Sequence, residues 1–328
     1  MAYRWSAIAL LVSGCGSNSS PPPPPPPSKD AAVVEDKRAI TLDRQATPVP
    51  EVVLPMQQAF EVKSAGKGAS AALHYALAPG PMSYLSATKL TARRLSSGKW
   101  GPPVAVPAVT NGVALAFADA ASPLAGRALP GEVAKGGDPA AAETYLADWR
   151  ALEGRRFTAM LDARGQLGAI KLADDPAGTR TPGAVEDLQH RLLLTLVPVP
   201  DVPVGVGAQW RVVTVLRQRP FVVKQTASYT LLARSEKSWK IGVELQRVGE
   251  PQTVSDPTVP KDQQVELVAL VRKYKGTLDV SPSTPIGIGK LDVSSTMHLR
   301  ITQRMKGSTE EILEDTGTVT LTRATAAQ

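Results

Sequence analysis

Across residues 290–305, apolar side chains recur at Leu291, Val293, Met297, Leu299, Ile301 and Met305. Lys290, Asp292, Thr296, His298, Arg300 and Arg304 fall between them. A period of two places alternate residues on opposite faces of an extended chain, so this stretch reads as a strand with one buried face. Phe221, Val223, Ala227, Tyr229 and Leu231 repeat the pattern. So do Trp239, Ile241, Val243 and Leu245 against Lys240, Glu244 and Gln246, and Val319 and Leu321 alternate with threonines near the end of the chain. Earlier strands are expected over residues 73–77, 85–95, 113–117, 157–161 and 167–172. The run Asp162-Ala163-Arg164-Gly165-Gln166 reads as a hairpin turn with Gly165 at positive φ. Apolar-in, polar-out alternation suits an antiparallel sheet with one covered face.

Two helices are expected to supply that cover. Asp138-Pro139 places an N-cap and a first-turn proline ahead of good helix formers over 140–152. Thr181-Pro182 does the same ahead of 183–196, where Val185, Leu188, Leu192 and Leu196 share one face. Pro198, Pro200 and Pro203 stop that helix before a strand that begins near Trp210. The fold class read from the sequence is therefore α+β: a large curved, half-barrel-like antiparallel sheet with about two helices packed on it.

The N-terminal region follows different rules. Arg4, the apolar run 7–12 and the small residues Ser13-Gly14 have the layout of a secretory signal. That run is far shorter than the ~20 residues that span a bilayer. Val12-Ser13-Gly14-Cys15 resembles the lipobox of bacterial lipoproteins. The resemblance implies cleavage before Cys15, a diacylglycerol on its thiol, an acylated amino group and anchoring in a membrane. Gly16, in place of the aspartate that holds such proteins at the inner membrane, implies the outer membrane with the domain facing the periplasm. Seven prolines, Pro21 to Pro27, form a stiff polyproline spacer within a polar segment that lacks the apolar surface to fold. The expected organisation is a signal peptide at 1–14, a lipidated disordered linker at 15–47 and a single β-rich domain at 48–328, with a sub-boundary near 130–150.

Of the 328 residues 43% are hydrophobic, enough for a large core, and Cys15 is the only cysteine, so the folded part has no disulfide. The net charge of +7 is dispersed, without the concentrated basic stripe of a nucleic-acid binder. Lipobox, tether, strand meander and helices together resemble the periplasmic lipoprotein-carrier and lipid-binding lipoproteins. That resemblance implies an incomplete barrel whose concave face holds acyl chains.

No catalytic machinery is legible. His74, His190 and His298 share no metal-ligand spacing, and each reads as solvated, His190 as a surface partner of Glu186. No Gly-x-Ser-x-Gly elbow occurs. Three Ser-x-x-Lys runs, beginning at Ser64, Ser86 and Ser96, stand without companion motifs. Asp174-Asp175 and Glu310-Glu311 read as turn-like polar loops. The chain is expected to be non-catalytic, with no metal or cofactor and no nucleic acid as partner. Two roles remain open. One is a structural or interaction protein of the cell envelope that meets another envelope protein. The other is a module that binds lipid or another hydrophobic ligand on Trp210, Phe221, Tyr229, Leu188 and Leu192.

Overall fold

The computed structural model describes residues 58–77, 80–117, 124–134, 143, 146–147, 149–175, 182–218, 220–254, 259–303 and 307–324. The signal, the lipobox with Cys15, the proline tract and Tyr145 lie outside the described residues.

Among the described residues seventeen strands run in chain order: β1 (Gln58–Ser64), β2 (Lys67–Ala71), β3 (Gly80–Ser96), β4 (Lys99–Trp100), β5 (Val104–Phe117), β6 (Leu124–Ala128), β7 (Glu132–Val133), β8 (Arg156–Leu161), β9 (Leu167–Leu172), β10 (Val204–Val206), β11 (Gln209–Gln218), β12 (Phe221–Arg234), β13 (Trp239–Gly249), β14 (Gln252–Thr253), β15 (Gln263–Val280), β16 (Gly287–Gln303) and β17 (Gly307–Ala324). One antiparallel sheet takes the order β1-β11-β12-β13-β15-β16-β17-β3-β5-β6-β8-β9, and β10 pairs with β2 in a separate ribbon. The ends of the main sheet come together without a shared ladder, where the Gln58 side-chain amide Nε2 donates to the Leu167 carbonyl at 2.9 Å. The sheet thus curls into a nearly closed barrel.

The expected α+β class is corrected to a mainly β fold. Among the described residues one continuous helix is present, α1 (Pro182–Thr195). In the region of the other expected helix, Glu143, Leu146, Ala147, Trp149 and Arg150 are helical and a turn follows at 151–154. The physical reason is strand length. β15 and β17 each run 18 residues, so the curled sheet covers much of its own apolar face, and α1 with the helical residues Leu146 and Trp149 packs in its core. The stretch 73–77 is also not a strand. It is irregular backbone with Leu73 and Tyr75 buried, and the Tyr75 hydroxyl donates to the Val197 carbonyl at 2.6 Å. The turn at Asp162 is as expected: Gly165 has φ of 80°, and Asp162 Oδ1 accepts from the backbone N–H of Arg164 and Gln166.

Pro182 opens α1 at a position where a missing N–H costs nothing, and the prolines after it stop it. The exit segment 196–200 is buried throughout. Its backbone is satisfied from several sides: Val197 N–H donates to Pro285 O at 2.9 Å, Val199 N–H to Arg164 O at 2.8 Å, and Pro198 O accepts from Trp210 Nε1 at 2.8 Å. These bonds matter because a buried, unpaired backbone group costs as much as a lost hydrogen bond. They fix where the helix ends inside the barrel.

Candidate functional site: a polar belt and its cavity

The apolar interior is two clusters, not one. The first gathers Leu188 and Leu192 of α1 with Leu216, Phe221, Val223, Leu270 and Leu299. The second gathers Trp210, Val212, Ala227, Tyr229, Leu245, Tyr274, Val293 and Val319. The residues that separate them stand in direct register across seven neighbouring strands: Gln58, Thr214, Gln225, Arg247, Arg272, Ser295 and Asp315. Directly paired residues share a face, so all seven point to the concave side. They form a polar belt between two apolar hemispheres.

A register shift between Leu267 and Ala269 brings Arg272 into the belt. Val265 and Leu267 face inward before it, and Leu270, Arg272 and Tyr274 after it. Uninterrupted alternation from Leu267 would turn Arg272 to the outside.

Helix α1 lays Asp187, His190 and Arg191 against the belt. Together with Arg247, Arg272 and Asp315 they line a cavity of about 240 Å³, whose other walls include Leu90, Val293 and Val319. Arg191 bonds Asp187 at 2.7 Å and stacks over the Trp149 ring at 4.9 Å. Arg272 meets Asp315 at 3.6 Å, with side-chain exposures of 29% and 18%, so this end of the cavity reaches solvent. Arg247 is at the buried end, 3% exposed. Its Nε donates to Gln225 Oε1 at 2.8 Å and an Nη to the His190 carbonyl at 3.1 Å. Both acceptors are neutral, and no carboxylate lies in ion-pair range of Arg247 among the described residues.

The electrostatics follow. Burial draws the Arg247 pKa down, as it must for a cation moved out of water. Burial pushes Asp315 up, against a weaker pull from Arg272. Burial alone would raise Tyr274, yet Arg272, Arg247 and Arg191 together hold its hydroxyl below the ordinary tyrosine value. The cavity lining carries three arginines against two aspartates.

The five residues singled out as ligand-lining are all buried but do not line one cavity. Trp210 and Tyr229 stack in register, ring centroids 5.7 Å apart, in the second cluster. Phe221, Leu188 and Leu192 belong to the first. His190 is a correction: it is buried at 8% exposure, facing the belt and not solvent. His74 is exposed, and His298 on the outer face bonds Glu310 at 2.8 Å. Glu310 and Glu311 lie within β17 and not in a turn. Alternation sends Glu310 outward and Glu311 inward to Arg94. Asp175 is buried as well, at 4% exposure, whereas Asp174 beside it bonds Arg155 at 2.8 Å on the surface. Among the described residues no three His, Cys, Asp or Glu side chains gather as metal ligands, and no helix is long and apolar enough to cross a membrane.

No protein-family model matches the chain, and no curated protein matches it. Among solved structures it is similar, at TM-score 0.20 and 8% identity, to a loop-deletion mutant of OmpT, an outer membrane protein of Vibrio cholerae, over 74% of this chain and 99% of that one. An outer membrane channel from Pseudomonas putida F1 is similar at TM-score 0.16 and 9% identity, over 76% and 98%. Scores of this size establish neither a shared fold nor a shared role.

Proposed function

We propose that the protein is a cell-envelope lipoprotein, held on the outer membrane through acyl chains on Cys15, whose barrel is a non-catalytic interaction module for another envelope protein. The observation that carries this reading is the close packing around the leucines of α1. Leu188 and Leu192 are at most 1% exposed, two voids against α1 measure only about 30 and 10 Å³, and the larger cavity of about 240 Å³ is lined by the charged belt. Hydrophobic-ligand sites ordinarily need about 300–1,000 Å³. An acyl chain laid along the concave face would also have to cross the belt at Arg247. The outer face supports a barrel that stands in water: Lys89, Arg93, Lys240, Glu244, Lys275, Lys290, Asp292 and Arg300 project from it, the reverse of the apolar-out pattern of a membrane-spanning barrel.

The test uses the full chain expressed in a bacterial envelope with its signal intact. Its intact mass is compared under native and denaturing conditions, alongside Cys15→Ser. The reading expects a covalent acyl mass that survives denaturation and is absent from the variant, with no non-covalent lipid. A stoichiometric lipid that leaves on denaturation would restore the lipid carrier in its place.

A further inference from the structure

We propose that the belt cavity is a binding site for a small organic anion, an oxyanion head of the carboxylate or phosphate kind on a short apolar body, with Arg247 and Arg272 as the groups that grip the head.

Charge bookkeeping comes first. Three arginines and two aspartates line the cavity, which leaves one positive charge. Arg191 is matched by Asp187 and Arg272 by Asp315. The unmatched one is Arg247, the most deeply buried of the three. A buried guanidinium hydrogen-bonded to neutral acceptors has lost hydration without a carboxylate in contact, Asp187 acting on it only from a distance, and buried charges are ordinarily paired. An anion at the cavity floor supplies the missing partner, and guanidinium forks match the two-oxygen edge of carboxylate or phosphate.

Shape comes second. The cavity connects to solvent beside the partly exposed Arg272–Asp315 pair, so a ligand has a path to Arg247. At about 240 Å³ it lies below the range of drug-sized ligands. Leu90, Val293 and Val319 form apolar walls and Ser295 offers a hydroxyl beside the arginines. Tyr274, buried on the same wall, is drawn below the ordinary tyrosine value by Arg272, Arg247 and Arg191 against the effect of burial.

Calorimetric titration of the full chain tests the site with three probes: hexanoate, inorganic phosphate and, as neutral control, hexanol. The expected result is saturable binding of hexanoate, weaker binding of phosphate and none of hexanol. Arg247→Met, checked by circular dichroism for an intact sheet, should weaken hexanoate at least tenfold. Arg272→Gln, at the more exposed position, should weaken it less and serves if Arg247→Met does not fold. No saturable binding of either anion would overturn the proposal. So would hexanol binding as well as hexanoate, or unchanged affinity in the folded variants.

Discussion

Arg247 of β13 and Arg272 of β15 stand directly opposite each other on neighbouring antiparallel strands, both on the concave face. Like charges in that relation repel, and the fold accommodates them by turning each to a different partner: Arg272 to Asp315, Arg247 to Gln225 and the His190 carbonyl. Removing either arginine relieves the repulsion, but it can be relieved only once. In a double-mutant cycle of Arg247→Met and Arg272→Met, the double variant should be less stable than the sum of the singles predicts, by about 0.5–1 kcal/mol. Urea unfolding measures this. A cycle that closes to zero would mean that water in the cavity screens the pair.

The helix that packs into the concavity is held chiefly by its leucines. Leu188 has no exposed surface and sits in the first apolar cluster. Leu188→Ala removes its methyl groups and leaves a void that the long strands around it cannot close. The expected loss is about 3 kcal/mol, read as a lower urea midpoint. A loss under about 1 kcal/mol would show that α1 is not clamped as tightly as its burial indicates.

Glycine–leucine pairs in register bring neighbouring strands into close approach. Gly317 of β17 lies opposite Leu90, and Gly276 of β15 opposite Leu291. A Cβ on Gly317 would meet the Lys89 carbonyl oxygen, with Leu90 Cα at 2.9 Å. Both are on the backbone and have no rotamer to escape into. Glycine to alanine in an unstrained strand stabilises by about 0.4–1 kcal/mol through the unfolded chain. Gly317→Ala should do the opposite and destabilise by about 1–3 kcal/mol, as overpacking does. The sign alone, from thermal unfolding, distinguishes a tight sheet corner from an ordinary strand glycine.

Several long strands, β12, β13, β16 and β17 among them, were legible in the sequence because one face is apolar over many residues and period two survives curvature; β1, β6 and β15 were not read, and 73–77 was misread as a strand. Helix α1 was legible from Pro182 and the leucine face. The belt was visible only as gaps. Gln225 falls at the inward parity between Val223 and Ala227, and Ser295 between Val293 and Met297. A polar residue at an inward position is the signal that would have found them. Arg272 could not be found that way, since the register shift near Ala269 reverses its face and nothing local marks it. The buried role of His190 was hidden for a related reason: helical spacing gave it a neighbour in Glu186, but the curl of the sheet decides which helix face meets protein. The other expected helix was legible in part: Glu143, Leu146, Ala147, Trp149 and Arg150 within 140–152 are helical, and the chain turns at 151–154.

Two carboxylates five residues apart on β17 should titrate in opposite directions. Burial raises Asp315 above the ordinary aspartate value. Its ionised form therefore costs the folded state stability at neutral pH, and that cost fades as the pH falls through the raised midpoint. Glu310, on the outer face, is held below the ordinary glutamate value, first by the His298 hydrogen bond and then by Arg300. Its contribution is present above the unfolded value and is lost as the pH falls through the lowered midpoint. On acidification the gain from Asp315 therefore comes first and the loss from Glu310 follows. Carboxyl NMR should place the Asp315 midpoint above that of an unfolded aspartate and the Glu310 midpoint below that of an unfolded glutamate. In urea midpoints followed from neutral to acid pH, Asp315→Asn should erase only the early gain and Glu310→Gln only part of the late loss. If Asp315→Asn leaves the early limb intact, the Arg272 partnership outweighs burial and Asp315 is a fully paired ion at the cavity mouth.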